Sequence, residues 1–178
     1  MINLLKDIFL GLITTFVFIC VITVITTLIT AKVPYVPSKK SLVRKIFSTL
    51  KPVKNKNFHD LGCGDGRVLY YAEKHYNLTA IGYEISLLPY LIAKLIKFLG
   101  RYKSQVLMKN FFHENFAEAD YIFCYLFPET VTKLYDKLKK ECKSGTILIS
   151  NTFKVKDLIP DNIIQTDDKK QIAYLYKL

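Results

Sequence analysis

The sequence predicts an α/β domain built on a mostly parallel sheet and preceded by one membrane-spanning helix. Three observations carry this reading. Residues 8–30 hold no charged side chain over 23 positions. From residue 57 onward, short apolar runs alternate with stretches of helical periodicity, the pattern of strands joined by crossover helices. Where the first such run gives way to the first such helix stands Asp60-Leu61-Gly62-Cys63-Gly64-Asp65-Gly66-Arg67, a turn freed of side chains at three places. The 178 residues divide accordingly into an anchor (1–30), a basic juxtamembrane linker with a first helix (31–56) and a ligand-binding domain (57–178). With 51% hydrophobic residues, 12 Phe and 12 Tyr, the chain has ample material for a core.

As a helix, residues 8–30 would be about 34 Å long at about 1.5 Å per residue, a match to a bilayer core of roughly 30 Å. The six threonines are compatible with that solvent, because a Thr hydroxyl can bond back to its own helix carbonyls. A cleaved signal peptide is the rival reading. The apolar stretch is too long for it, and the best cleavage triplet, Ile29-Thr30-Ala31, has a bulky residue where a small one is needed. A retained single anchor is therefore expected. Between residues 31 and 59 stand eight Lys or Arg and no acid, which is +8 of the formal +11, whereas residues 60–178 carry 17 basic and 14 acidic side chains, only +3. Ahead of the anchor Lys6 and Asp7 cancel. The positive-inside rule then places the protein in the cell membrane as a single-pass chain with its domain in the cytoplasm. The basic collar sets topology, or also holds anionic lipid headgroups. Tied to the membrane, it faces the bilayer, so a nucleic-acid partner is not expected.

The elements follow in order. Residues 41–50 form an amphipathic helix with Leu42, Val43, Ile46 and Phe47 toward a core. Residues 58–61 are a strand, 68–75 a helix, and 78–82 a second strand that ends at Tyr83-Glu84. Ser86 caps a helix to Leu99, with Pro89 tolerated in its first turn and Gly100 closing it. The apolar cover of that helix is broad: Leu87, Leu88, Leu91, Ile92, Leu95, Ile96, Phe98 and Leu99 leave a narrow strip for Lys94 and Lys97. Burial inside the fold is the preferred explanation, and a face lying on the membrane with snorkelling lysines is the other. Residues 105–108 make a third strand and 120–125 a fourth, nearly all apolar as a central parallel strand should be. A helix over 128–142 places Val131, Leu134, Tyr135 and Leu138 on one face, Gly145 ends it, and 146–150 is a fifth strand. Residues 163–165 and 172–176 pair as a hairpin around a polar turn at 166–170.

The loop's chemistry is specific. A nicotinamide fingerprint needs Gly-x-Gly-x-x-Gly, and here the sixth position is Arg67. What remains is Asp60 on the strand followed by Gly62, Gly64 and Gly66, with Cys63 between the first two, and this resembles motif I of the class I S-adenosylmethionine methyltransferases. Glu84 lies 18 residues beyond Gly66 at the tip of the second strand, where an acid can accept hydrogen bonds from two ribose hydroxyls. In isolation it could be a solvated loop acid; in order with motif I it is read as a ligand contact. Asn110 and Phe111 follow the third strand, one able to bond an adenine edge and the other to pack on its ring. The resemblance implies S-adenosyl-L-methionine as cofactor, Asp60 near its methionine end, and a Rossmann-like seven-stranded sheet whose last strand runs antiparallel. Cys63 stands where family members often carry Ser; the backbone would make the contacts there.

Tyr125-Leu126-Phe127-Pro128 closes the fourth strand, from which class I enzymes usually meet the methyl acceptor. It is not the Asn-Pro-Pro-Tyr signature used for adenine or glutamine amides. With the anchor, Tyr35-Val36-Pro37-Ser38, Gly82-Tyr83-Glu84 and Ser150-Asn151-Thr152-Phe153, the chain resembles the membrane-anchored protein-lysine methyltransferases that act, in mitochondria, on the ATP synthase c subunit and the adenine nucleotide translocase. That likeness implies an acceptor lysine on a membrane protein, reached past Tyr125, Phe127 and Pro128. A small lipophilic acceptor such as a quinone or a lipid headgroup would use the same anchor and site. A non-catalytic S-adenosylmethionine-binding membrane protein is the reading from another class. No general base stands out. The four cysteines have no Cys-x-x-Cys spacing and the three histidines are scattered, so neither a metal site nor a redox pair is suggested.

Overall fold

The structure, a computed structural model, describes residues 2–30 and 36–178. Residues 31–35 of the linker, including Lys32, lie outside the described residues. Helix α1 (Ile2–Thr30) contains an apolar span, Leu5–Thr26, of 22 residues, none of it buried against the rest of the chain. Length and composition suffice to cross a membrane, and the exposure separates α1 from a core helix of equal hydropathy. The hydroxyls of Thr14, Thr23 and Thr26 donate back to the carbonyls of Gly11, Ile19 and Thr23 at 2.9, 2.7 and 3.0 Å, so these polar groups are satisfied within the helix.

The domain is a seven-stranded sheet in the order β3-β2-β1-β4-β5-β7-β6. Strands β1 (Asn57–Leu61), β2 (Thr79–Glu84), β3 (Gln105–Met108), β4 (Tyr121–Cys124) and β5 (Ile147–Asn151) run parallel, while β7 (Ile172–Lys177) is antiparallel to β5 and to β6 (Asn162–Gln165). The hairpin and the antiparallel last strand agree with the sequence reading. From β1 the chain winds outward through β2 to β3, then returns to β4 on the other side, so the strand order reverses between β1 and β4. In such sheets the crevice for a ligand opens beyond the carboxyl ends of the strands at that point. The parallel register sets those ends side by side, with Leu61 opposite both Tyr83 and Cys124, and Glu84 opposite Met108.

Two apolar layers cover the sheet. On one face helix α2 (Lys40–Leu50) buries Leu42, Val43, Ile46 and Phe47, and α3 (Arg67–Tyr76) buries Val68, Leu69, Tyr70 and Ala72. On the other, α5 (Pro128–Glu141) buries Val131, Leu134 and Leu138. Helix α4 (Leu87–Gly100) departs from expectation. Only Pro89 and Ala93 are buried, and Leu87, Leu88, Leu91, Ile92, Leu95, Phe98 and Leu99 are all exposed. The reason is its place over β2 and β3 at the edge of the sheet. Ala93 lets the helix sit close on the strands, and its large apolar side chains stay exposed even though α1 comes against it. Gly100 does not close this helix either. It stays helical, and Arg101 takes the left-handed turn at φ 53°. A Cβ on Gly100 would fall 2.2 Å from the Tyr102 ring, so close approach is what the glycine serves.

His59 is buried in the second layer, its ring stacked on Tyr83 at 6.0 Å and edge-on to Phe116 at 5.4 Å. Burial depresses its pKa to about 4, against the opposing pull of the Asp120 carboxylate. Between the ordinary value of 6.5 and 4 the unfolded chain is protonated and the folded chain is not, so stability falls as pH falls through that window. The loss should be on the order of 3 kcal/mol. Denaturant unfolding of the full chain in detergent should give this slope, and His59→Gln should remove it.

Candidate active site

A cavity of about 350 Å³ opens at the β1/β4 reversal, within the size range of small-molecule sites. Its floor is the glycine loop. Gly62, Gly64 and Gly66 take φ of 79°, 55° and 78°, left-handed values that side chains disfavour. The amides of Gly62 and Cys63 both donate to the Tyr83 carbonyl at 2.9 Å, folding the loop against the end of β2. This approach needs Gly82, where a Cβ would fall 2.8 Å from the Cys63 sulfur. Asp65 and Arg67 pair at 2.7 Å across the loop.

Glu84 is 8% exposed and accepts three backbone N–H groups. One carboxylate oxygen takes the Gly64 amide at 2.9 Å, and the other takes Ile85 and Ser86 at 2.9 and 2.8 Å. The start of α4 is thus held by Glu84. Ser86 occupies the N-cap position without a side-chain cap bond. Asp60, 2% exposed, leaves its Oδ2 with no hydrogen-bond partner. Burial first, then the nearby Glu84 and Asp65 carboxylates, raise its pKa well above the ordinary value, opposed by a backbone hydrogen bond from Leu69. The Cys63 thiol is likewise pushed up, by burial and by the Asp60 and Glu84 charges, so it is an inert packing group and not a nucleophile. A cationic ligand in the cavity would favour the ionised form of Asp60.

Asp60, Gly62, Cys63, Gly64, Glu84, Asn110, Phe111 and Tyr125 are all on the cavity wall. Three expected residues are not. Gly66 turns the chain behind the wall, and Phe127 and Pro128 begin α5 outside it. Phe127 instead faces the Phe153 ring at 6.0 Å, which also lies 6.1 Å from Tyr125. The Asn110 carboxamide oxygen is committed to the Phe112 amide at 3.0 Å, starting the 3-10 turn Phe111–His113, so its amide nitrogen is what it can offer a ligand. The structure adds residues that sequence reasoning missed. Val36, Pro37 and Ser38 close one side, Leu126 and Thr130 another. Ser38 is fixed by Asn151 at the end of β5, whose side-chain amide donates to the Ser38 hydroxyl at 3.0 Å in a buried setting. Both residues stand in the segments Tyr35-Val36-Pro37-Ser38 and Ser150-Asn151-Thr152-Phe153, a signal available in the sequence.

The reversed parallel sheet and the acidic, glycine-floored crevice at its strand ends define a class I methyltransferase. A family model described as the ANTKMT methyltransferase domain matches residues 60–162, and the chain belongs to that family. It is 32% identical over 149 residues to a protein-lysine N-methyltransferase of Saccharolobus islandicus (strain REY15A), covering 81% of this chain and 92% of that protein. It is 26% identical over 147 residues to the adenine nucleotide translocase lysine N-methyltransferase of Mus musculus, covering 80% of this chain and 63% of the mouse protein, less than two thirds of its length. A crystal structure of an RNA methyltransferase from Salinibacter ruber in complex with S-adenosyl-L-homocysteine superposes with a TM-score of 0.73 at 24% identity, covering 80% of this chain and 93% of that one; at this identity the likeness concerns the fold. The chain is thus an enzyme, an S-adenosyl-L-methionine-dependent methyltransferase. The cavity fits that cofactor: the unpartnered Asp60 oxygen suits an ammonium or sulfonium, and the left-handed glycines let a ligand lie on bare backbone.

Two variants test this chemistry. Asp60 has a raised folded pKa, so its contribution to stability is greatest at low pH and is lost as pH rises through that value. Asp60→Asn should therefore make the empty enzyme more stable at neutral pH, by thermal unfolding, and weaken S-adenosylmethionine by about 1–3 kcal/mol in calorimetry. An unchanged affinity would remove Asp60 from the binding site. Glu84→Gln keeps the size but supplies only one acceptor oxygen for a site that needs two. It should both loosen the ligand and lower the melting temperature, and a variant with wild-type affinity and melting would contradict the role given to this carboxylate.

Proposed function

We propose that the enzyme methylates a lysine of a membrane protein from a domain held at the cytoplasmic face of the membrane. The observation that carries this is the wall formed by Val36, Pro37 and Ser38. Six positions separate Val36 from Thr30, the end of the apolar helix, and an extended chain spans at most about 3.3–3.6 Å per residue. A cavity bounded by the linker itself lies within about two nanometres of the end of that helix on this estimate. The names of the archaeal and mouse relatives support lysine as the acceptor.

In this reading Asp60 accepts the ammonium of the methionine portion, Glu84 the ribose hydroxyls, and Asn110 with Phe111 the adenine. The glycine loop, through Gly62, Cys63 and Gly64, lies along the ligand, and Gly66 turns the chain beneath it. The bound cofactor supplies a methyl group on a sulfonium, already activated toward in-line displacement. The protein's work is alignment and exclusion of water. An acceptor amine must bring a free lone pair, and the Tyr125 and Leu126 side of the cavity favours the neutral form by desolvation. In this reading a lysine side chain enters past Tyr125, beside Phe127 and Phe153. With the cofactor bound, the lysine nitrogen would take its methyl group while the electrons of the carbon–sulfur bond stay on sulfur, and the amine proton would leave to solvent.

Intact-mass analysis of membrane proteins from cells with and without the gene tests this. Methyl increments on a membrane-protein lysine should vanish without the gene and return with the wild-type chain but not with Glu84→Gln. Gene-dependent methylation found only in the lipid extract would replace the lysine by a small lipophilic acceptor.

A further inference from the structure

The geometry points to a second membrane contact: the outer face of α4 lies on the bilayer surface as an interfacial helix, its apolar stripe in the lipid and its cations at anionic headgroups. The inference rests on the proposed membrane location but not on the methyl acceptor. Leu88, Leu91, Leu95 and Leu99 follow one another at helical spacing and are 44%, 51%, 57% and 70% exposed, with Phe98 beside them at 79%. Leaving such a stripe in water forgoes the hydrophobic gain that burying it would bring.

Two features select lipid over a protein occupant. Charge is the first. No acidic residue occurs from 85 to 113, whereas Lys94, Lys97, Arg101, Lys103 and Lys109 do. Lys94, Lys97 and Arg101 join Phe98, Leu99 and Tyr102 in lining an open groove of about 770 Å³. An apolar stripe bordered by long cationic side chains is the pattern of an interfacial helix. A second copy of this face would set cations against cations. Continuity is the second. Helix α1 comes against α4, and the stripe stays exposed with α1 beside it. The candidate membrane span and the unpartnered stripe are therefore neighbours. Ser86 and Pro89, at the start of α4, border the cofactor cavity, so docking this helix fixes which way the cavity faces relative to the membrane.

The chain has no tryptophan, so one introduced tryptophan reports its own surroundings. The full chain would be placed in phosphatidylcholine/phosphatidylglycerol vesicles with brominated or ordinary acyl chains. Phe98→Trp should emit to the blue and be quenched about twofold or more by the brominated lipid. Ile159→Trp, at a 90% exposed position between β5 and β6, should do neither. Joining Lys94→Glu, Lys97→Glu and Arg101→Glu to Phe98→Trp should shift emission back to the red and abolish most of the quenching, with S-adenosylhomocysteine binding unchanged. A chain that floats with the vesicles while Phe98→Trp stays unquenched overturns the α4 contact and leaves the anchor standing. Failure to float overturns both. Blue emission that ignores bromination and grows with protein concentration overturns the inference in favour of self-association, and equal quenching at both positions overturns it in favour of unoriented insertion.

Discussion

The site depends on one carboxylate in a place where water is scarce. Glu84 ends β2, and its two oxygens gather the Gly64, Ile85 and Ser86 amides. Through the first it holds the glycine loop in its left-handed path; through the other two it sets where α4 begins. Charge-assisted hydrogen bonds to backbone N–H groups are about twice as strong as neutral ones, and here they replace the helix cap that Ser86 would otherwise provide. Because β1 and β2 are parallel neighbours, with Asp60 opposite Gly82, the same arrangement brings a second buried carboxylate under the loop. Mutual repulsion and burial then leave Asp60 with a strong demand for a cation. Loop shape, helix start and ligand preference follow from one strand end.

Most of the fold was legible because its signals are local. Strand β3 needs only a short apolar run, α5 only Val131, Leu134 and Leu138 at helical spacing, and the terminal hairpin only two runs about a polar turn. The error at α4 is of another kind. Periodicity says which residues avoid water, and it is silent on what they meet instead. Leu91 and Leu95 read identically whether their neighbour is a sheet, a lipid or another chain. Position at the sheet edge decided the matter, and that is a property of topology. The same holds for Gly100, whose closeness to Tyr102 no neighbouring residue announces.

The site was legible where backbone chemistry dictates the residue type. Gly62 and Gly64 need left-handed φ, and Asp60 and Glu84 need strand ends. It was less legible where a side chain's direction matters, which is why Phe127 and Pro128, adjacent in sequence to Tyr125, fall outside the cavity. The Ser38–Asn151 bond spans most of the domain's length in sequence, and no spacing rule connects such a pair. Its effect is mechanical. It fixes Ser38 to the end of β5, so that Val36, Pro37 and Ser38 become part of the cavity wall.

That wall gives the electrostatics its consequence. Holding a buried Asp60 oxygen without a protein partner costs the fold stability, as enzymes commonly accept where a site is built for a ligand and not for stability. A cationic ligand supplies the missing partner and favours the ionised carboxylate. Binding and folding are then linked through one group. The ligand stabilises the enzyme with the logarithm of its concentration over its dissociation constant, and more so as rising pH favours the ionised carboxylate. The buried oxygen of Asp60 that costs the fold stability is thereby suited to a positively charged ligand.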